Sequence, residues 1–464
     1  MAEKNELESF LDPKSVAVIG ASRDTFSVGH GILRSLVTGC VFDYGLCTPF
    51  PGKIFPVNPK ADEILGLKCY SSVLAIPDDV DLAIISVPAK VVPQVLEECG
   101  EKKVKGVVVV SAGFAEVGEE GRKLQEQIVS IARSHGIRLL GPNCLGFIRP
   151  PIGLNASFAL TAPQPGYVAF ISQSGALADS VIDWAIENRY NFSALVSLGN
   201  SADLDVSDFL EWCLANEDTK SIALYLEGIS LGRKFMQIAS LVSKTKPVVL
   251  LKGGKTSAGV KAAGSHTGSL VGNYRVWKAA CKQSGVVLAD TLEELFDMAK
   301  ALGLQKRTSQ NSVAIVTNGG GAGVLTADYC EEMGLKLTQL SEATLKKLDD
   351  SGVMHPAYSR RNPLDIIGDA RPERYDAAVN ILLDDPDVGG LIVIQTLQTM
   401  TDSLEDAKIV IEAKKRHPEK PVVCVFMGGK FSKQGIERLR AAGVPDFNDP
   451  RPAVRVMAAL CGVI

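Results

Sequence analysis

His266 stands in Gly264-Ser265-His266-Thr267-Gly268-Ser269-Leu270, a run of small residues that lets a backbone bend and approach another group closely. A neutral imidazole near pH 7 is a competent nucleophile toward phosphorus, although a histidine satisfied within a loop can have the same neighbours. The nearest acid candidate is Glu227, which ends the apolar run Ser221 to Glu227 (SIALYLE). Sites in α/β proteins collect at the carboxyl ends of strands. A carboxylate there could fix the imidazole tautomer and stabilise a phosphorylated ring, as the orienting acid of a triad does.

Phosphate chemistry also needs a cradle, and two matching turns offer one. Val168 to Gly175 (VAFISQSG) aligns without gaps on Val313 to Gly320 (VAIVTNGG), and each passes from a strand-like run through a small polar turn into a helix-like run. Ser174 and Gly175 in the first turn, and Gly320, Gly321 and Gly323 in the second, would lie at helix N-termini. Unpartnered N–H groups and the helix dipole attract anions there. Together the two turns could hold one phosphate from both sides; glycines at such junctions also serve the turn alone.

A third turn, Gly20-Ala21-Ser22, follows Ser15 to Gly20 (SVAVIG). A dinucleotide site would need G-x-G-x-x-G here and an acid after the second strand. The residues are instead Gly20, Ser22 and Thr25, and the second strand ends in Val57-Asn58-Pro59-Lys60, which disfavours NAD. A helix start behind such a turn can hold a pyrophosphate, with Lys53 or Lys60 offsetting its charge, and this suits the nucleotide end of coenzyme A. The candidate contacts are Gly20, Ser22, Lys53, Asn58, Val87, Pro88 and Asn143. His30 follows the same turn, while His135, His355 and His417 have surface-like neighbours. Asp365 reads as a site or interface residue, or as an Asx turn.

These groups require strands that end in the right places. Short β-branched runs alternate with helix-length amphipathic segments along all 464 residues, the pattern of parallel sheets covered by helices. Strands are predicted at 15–20, 53–57, 81–87, 105–111 and 137–140; at 167–172, 193–198, 221–227, 247–252 and 285–288; and at 313–317, 390–395 and 421–426. The Pro-rich stretch RPPIGLNASFALTAPQPG reads as a connector after the first set, and Gln305 to Ser312 as a linker before the third. Three α/β domains are expected, at 1–145, 146–305 and 306–464.

A net charge of -4 argues against a nucleic-acid surface. Ten cysteines with no CxxC pair signal neither zinc nor a redox dithiol, and suggest reduced, mostly buried thiols. No metal-ligating set is read. The first ten residues lack an apolar leader and no run reaches the roughly 18 apolar residues of a membrane span, so a cytoplasmic protein is expected.

Taken in order, GPNCLG (141–146), ISQSGAL (171–177), GSHTGSL, NGGGAG (318–323) and NPLDIIG (362–368) resemble the α-subunit family of ADP-forming acetyl-CoA synthetases, relatives of succinyl-CoA synthetase. The resemblance spans essentially the whole chain. It implies a Rossmann-like CoA-binding domain followed by two flavodoxin-like domains. The reaction it implies converts acetyl-CoA, ADP and phosphate reversibly to acetate, ATP and CoA, through acetyl phosphate and a phosphohistidine. His266 matches the phosphorylated histidine, Glu227 its supporting glutamate, and the helices after Ser174-Gly175 and Gly319-Gly320 the phosphate-binding pair. Asn143 is a candidate contact for the thioester or acyl end. ADP and Mg2+ are expected on a β subunit with an ATP-grasp domain, in an α2β2 assembly. Two other readings are a CoA-binding regulatory protein of this fold without catalysis, and a nicotinamide-dependent dehydrogenase, which the missing glycine motif disfavours.

Overall fold

The computed structural model describes residues 7–45, 47–261 and 273–464. The chain divides into two compact units, Met1–Asp290 and Thr291–Ile464. Among the described residues the first carries two large sheets and a two-stranded antiparallel ribbon (Glu63–Ile64 with Leu67–Lys68), and the second carries one sheet.

The first sheet has β1 (Ser15–Ile19), β2 (Lys53–Val57), β3 (Leu82–Ile85), β4 (Gly106–Val109) and β5 (Arg138–Leu140), all parallel in the order β2-β1-β3-β4-β5. Every residue of β1, β3 and β4 is buried, as expected of parallel strands covered on both faces. The chain leaves β1 toward β2 on one side and returns to β3 on the other. Their carboxyl ends therefore flank a crevice, the usual ligand position in such sheets.

The second sheet holds β6 (Gly146–Arg149), β7 (Leu154–Ser157), β8 (Pro165–Ser172), β9 (Phe192–Ser197), β10 (Ser221–Leu226), β11 (Val248–Lys252) and β12 (Val287–Ala289). The order is β12-β11-β10-β8-β9-β6-β7, parallel except for β6 and β7. The Pro-rich stretch 149–166, read as a connector, is corrected in part: it holds the end of β6, the turn Pro150–Ile152, all of β7 and the start of β8. β7 is buried throughout, and Asn155 donates from Nδ2 to the Gly39 carbonyl at 3.1 Å. Alternation was hidden because both faces of the strand are covered.

The second unit contains β13 (Ser312–Thr317), β14 (Lys336–Leu337), β15 (Leu364–Asp365), β16 (Gly390–Thr396), β17 (Val422–Met427) and β18 (Asp446–Phe447). The order is β14-β13-β16-β17-β18, with β15 also pairing β13, and all pairs are parallel. The helix Leu292–Leu304 packs here against the helix Pro450–Leu460. Gln305 exchanges two hydrogen bonds with the Val422 backbone, at 2.8 and 2.9 Å. By contact, residues 291–305 fall in this compact unit, and Gln305 is an anchor within it.

The expectation of ten reduced thiols also needs correction. Cys40 and Cys47 are joined by a disulfide, with Asp43 beside the two sulfurs, while the other eight cysteines are free and buried. Among the described residues no helix is long and apolar enough to cross a membrane.

Asp406, on the helix Ser403–Arg416, is 1% exposed. Burial pushes its carboxyl up to about 7, opposed by a hydrogen bond from Gln395 and reinforced by Asp402, Glu405 and Glu373. The native state therefore holds this proton after the unfolded chain has lost it near the ordinary aspartate value of 3.8. Its contribution to stability is lost as pH rises between those values. Asp406→Asn keeps an oxygen for Gln395 and removes the titration. The expected result is a melting temperature that falls less between pH 5 and pH 8 than in the parent; equal slopes would place the titration elsewhere.

Candidate active site

The turn after β1 is fixed by backbone geometry that only glycine tolerates. Gly20 has φ 93°, and a Cβ there would lie 2.6 Å from the Ser86 carbonyl oxygen, just beyond β3. Gly29, in the first turn of the helix Val28–Thr38, approaches Gly20 so closely that its own Cβ would meet the Gly20 oxygen at 2.0 Å. Asn58 donates from Nδ2 to the Ala21 carbonyl at 2.7 Å, tying the end of β2 to the same turn. His30 is buried, with Nδ1 2.8 Å from the Ser22 carbonyl oxygen. Ser22 Oγ accepts from the Asp24 N–H. Val87 and Pro88 follow β3 on the same edge, and the Val87 carbonyl accepts from Ser111 Oγ.

Gly20, Ser22, Asn58, Val87 and Pro88 thus gather around one crevice. Lys53 does not join them. It begins β2 and is paired with Asp78 at 3.1 Å, so the length of the strand, about 13 Å, separates it from the crevice. A single strand carries both ends of the sheet, and sequence proximity concealed which end the lysine occupies.

In the second sheet the switch falls between β8 and β10. Ser174 caps the helix Gly175–Asn188, its Oγ accepting from the Leu177 N–H at 3.3 Å, and no acid stands in that first turn. Glu227 follows β10 directly and is 7% exposed. Gln173 joins the two. Its Oε1 accepts from the N–H groups of Glu227 and Gly228, and its Nε2 donates to the Gly228 carbonyl at 2.8 Å. Tyr225 donates to Glu227 Oε1 at 3.3 Å; burial first, then the neighbouring carboxylate, pushes this phenol up to about 12. Lys252, at the end of β11, donates to the Glu227 carbonyl at 2.8 Å. His266 lies outside the described residues.

A pocket of about 410 Å³ opens beside this edge, and Asn143, Leu145, Phe158, Ser174, Gly175 and Asn200 are among its walls. Asn143 has φ 58° and lies 3.4 Å from Asn200 through Nδ2 and Oδ1. Asn200 in turn donates to Glu116 at 2.6 Å. Burial alone would raise the Glu116 carboxyl, but hydrogen bonds from Asn200 and from the Gly113 and Phe114 amides hold it below the usual range. The pocket wall is therefore braced by a carboxylate outside it. Asp179, one turn along the helix, also faces the pocket; burial pushes its carboxyl up, with Asp183 adding to the shift.

The third sheet repeats the device within its own unit. Thr317 Oγ1 bonds both the N–H and the carbonyl of Gly319, as Ser172 Oγ does for Ser174. Asn318 bridges to Thr396 at the end of β16, accepting from its N–H at 2.7 Å and donating to its carbonyl at 2.9 Å. Gly320 begins the helix Gly320–Glu332, which also carries Gly321 and Gly323. Asp365 makes the Asx turn that was one of its two readings. Its Oδ1 accepts from the Ile367 N–H as in an Asx turn, while its Oδ2 would lie 2.8 Å from a Cβ on Gly320.

Gln173, Tyr225, Asn200 and Lys252 were not singled out by sequence. Gln173 could have been, because it aligns on Asn318 within the internal repeat. Lys252 carried a signal too, as a cation closing an otherwise apolar strand.

Family models match along the chain for a CoA binding domain (residues 14–150), a succinyl-CoA ligase like flavodoxin domain (165–302) and a Ligase-CoA domain (313–459). The chain is 44% identical to acetate–CoA ligase [ADP-forming] I subunit alpha of Pyrococcus furiosus, over 98% of this chain and 97% of that one. It is 46% identical to acetate–CoA ligase [ADP-forming] I of Archaeoglobus fulgidus over 98% of its length, but spans only 63% of that longer protein. The solved dinucleotide forming acetyl-coenzyme A synthetase 1 of Ca. Korarchaeum cryptofilum, in complex with phosphate and ADP, superposes with a TM-score of 0.90 at 38% identity, covering 99% of this chain and 97% of that one. The chain belongs to the family of ADP-forming acetate–CoA ligases.

Proposed function

We propose that this chain is the CoA- and phosphate-handling part of an ADP-forming acyl-CoA synthetase, acting on acetyl-CoA or a similarly small acyl-CoA. The observation that carries the reading is the Gln173 bridge, which holds Glu227 and the Ser174-Gly175 helix start on one strand edge beside the pocket. CoA would occupy the crevice at Gly20, Ser22, Asn58, Val87 and Pro88, with its thioester near Asn143. Three modules, with boundaries near those expected from sequence, would divide this work.

Phosphate held at the helix start would attack the thioester carbonyl. The carbon–sulfur bond breaks, CoA leaves as the thiol and an acyl phosphate remains. A ring nitrogen of His266 then attacks phosphorus and the carboxylate leaves, giving a phosphohistidine that ADP can discharge to ATP. Backbone N–H groups at the start of the helix Gly175–Asn188 offset the charge throughout. Glu227 would accept a hydrogen bond from the other ring nitrogen. ADP and Mg2+ would be held by a further module, as a separate subunit in the manner of the relative named subunit alpha, or joined to the chain as the length of the Archaeoglobus relative suggests. An ATP-grasp domain in an α2β2 assembly is the form expected for that module.

Incubation with acetyl-CoA and labelled phosphate should place an acid-labile, base-stable phosphate on the chain, with the nucleotide-binding partner added if required. His266→Ala should abolish the label, and label that persists would overturn the reading. Glu227→Gln should lower the yield by about tenfold, roughly 1.4 kcal/mol of barrier, with CoA affinity unchanged. Equal yields would remove Glu227 from the site.

Gly20→Ala tests the other end of the substrate. A side chain at this left-handed position, pressed against the Ser86 carbonyl, costs about 1–3 kcal/mol. Calorimetric titration should show weaker CoA binding, while labelling by acetyl phosphate is retained. Unchanged CoA affinity would move the nucleotide end away from this turn.

A further inference from the structure

Lys252 is 2% exposed, although lysine is rarely buried. Its Nζ donates to two neutral acceptors, the Glu227 carbonyl at 2.8 Å and the Gly253 carbonyl, and lies 5.1 Å from the centroid of the Trp277 ring. Trp277 is itself buried, on the helix Tyr274–Gln283. One ammonium thus ties together the ends of β10 and β11 and a helix face. Burial lowers its pKa, and the charge of Glu227 opposes that shift.

A cation in this place is costly. A desolvated charge received, among the described residues, by two carbonyls and a ring face recovers part of its hydration, and an apolar side chain of the same length would often hold the same strands at least as well. The charge must therefore serve its neighbour. Among the described residues Glu227 is the group whose charge acts on Lys252, and its main chain is gripped from both sides: Gln173 Oε1 takes the N–H and Lys252 takes the carbonyl.

We propose that Lys252 is the positioning residue of Glu227, fixing the backbone at the end of β10 and offsetting the carboxylate's charge while phosphate charge moves past it. This rests on the ligase reading above. Lys252 touches no substrate in this account; it acts through Glu227.

Lys252→Met keeps the apolar stem against Trp277 and removes the charge. Within the assembled enzyme, the expected result is a kcat lowered by up to about a hundredfold, with KM for CoA and phosphate within about twofold and a melting temperature no lower than the parent's. Lys252→Gln, whose amide can still donate to a carbonyl but is uncharged, should show the same split, and it serves if the methionine variant does not fold. The double variant with Glu227→Gln should be no slower than the slower single variant, since the lysine acts through the glutamate.

A Lys252→Met or Lys252→Gln enzyme with the parent's kcat, whatever its melting temperature, would make Lys252 a packing residue and overturn the proposal. Fully multiplicative losses in the double variant would overturn it as well. Failure of the parent to form phosphoenzyme would be a different result, striking the ligase reading itself. The parent and Glu227→Gln are run alongside to tell the two apart.

Discussion

A hydroxyl and an amide on adjacent residues organise the carboxyl edge of both ligase-type sheets. Strands that run parallel end together, and the backbone groups just beyond them have left the ladder without yet entering a helix. Each must still find a partner if it is buried. Ser172 and Thr317 take the N–H and carbonyl two residues on, which closes the turn. Gln173 and Asn318 then reach sideways to the neighbouring strand end. An amide suits this task because it offers a donor and an acceptor in one plane, matching the N–H and C=O of an exposed backbone edge. The turn, the direction of the following helix and the position of the next strand's terminal residue are thereby coupled.

The two copies differ in what stands at the helix start. In the first, Ser174 caps the helix with its own side chain and no acid lies in the first turn, so the positive end of the dipole faces the pocket. In the second, Gly319 has no side chain to cap with, and the carboxylate of Asp365 comes up beside Gly320. A carboxylate at a helix N-terminus is favourable in itself, but it also takes up part of the potential that would otherwise attract a phosphate. The same backbone device is thus tuned to different electrostatic ends by the capping residue of the turn and by a carboxylate brought in from a neighbouring strand.

Much of this was legible in the sequence because parallel strands announce themselves. Runs such as Ser15 to Ile19 and Val248 to Leu251 are apolar without alternation, and glycines mark where they stop. The internal repeat was visible for the same reason: the turn chemistry constrains residue type at four successive positions. What stayed hidden needed the third dimension. β7 contains Asn155 and Ser157, which read as loop residues, yet both are buried and bonded to each other at 2.6 Å. Lys53 sits close to Asn58 in the chain and far from it in the sheet. Asn200 and Glu116 brace the pocket across 84 positions, and no local pattern connects them.

The buried acids show why the position of an edge residue matters more than its burial. Asp406 and Glu227 are both nearly enclosed. Asp406 receives a hydrogen bond from the Gln395 amide, has other acids nearby and is pushed up to about 7; near neutral pH part of its population is a neutral acid, suited to packing more than to holding a charge. Glu227 stands where three elements converge, with a tyrosine hydroxyl on its carboxylate, an amide on its N–H and a lysine ammonium on its carbonyl. Such an arrangement is expensive to assemble, since every donor and acceptor must be oriented before any substrate arrives. That prior orientation is what the proposed phosphoryl transfer would require: dipoles and charges already in place do not have to reorganise as negative charge shifts from one oxygen to the next.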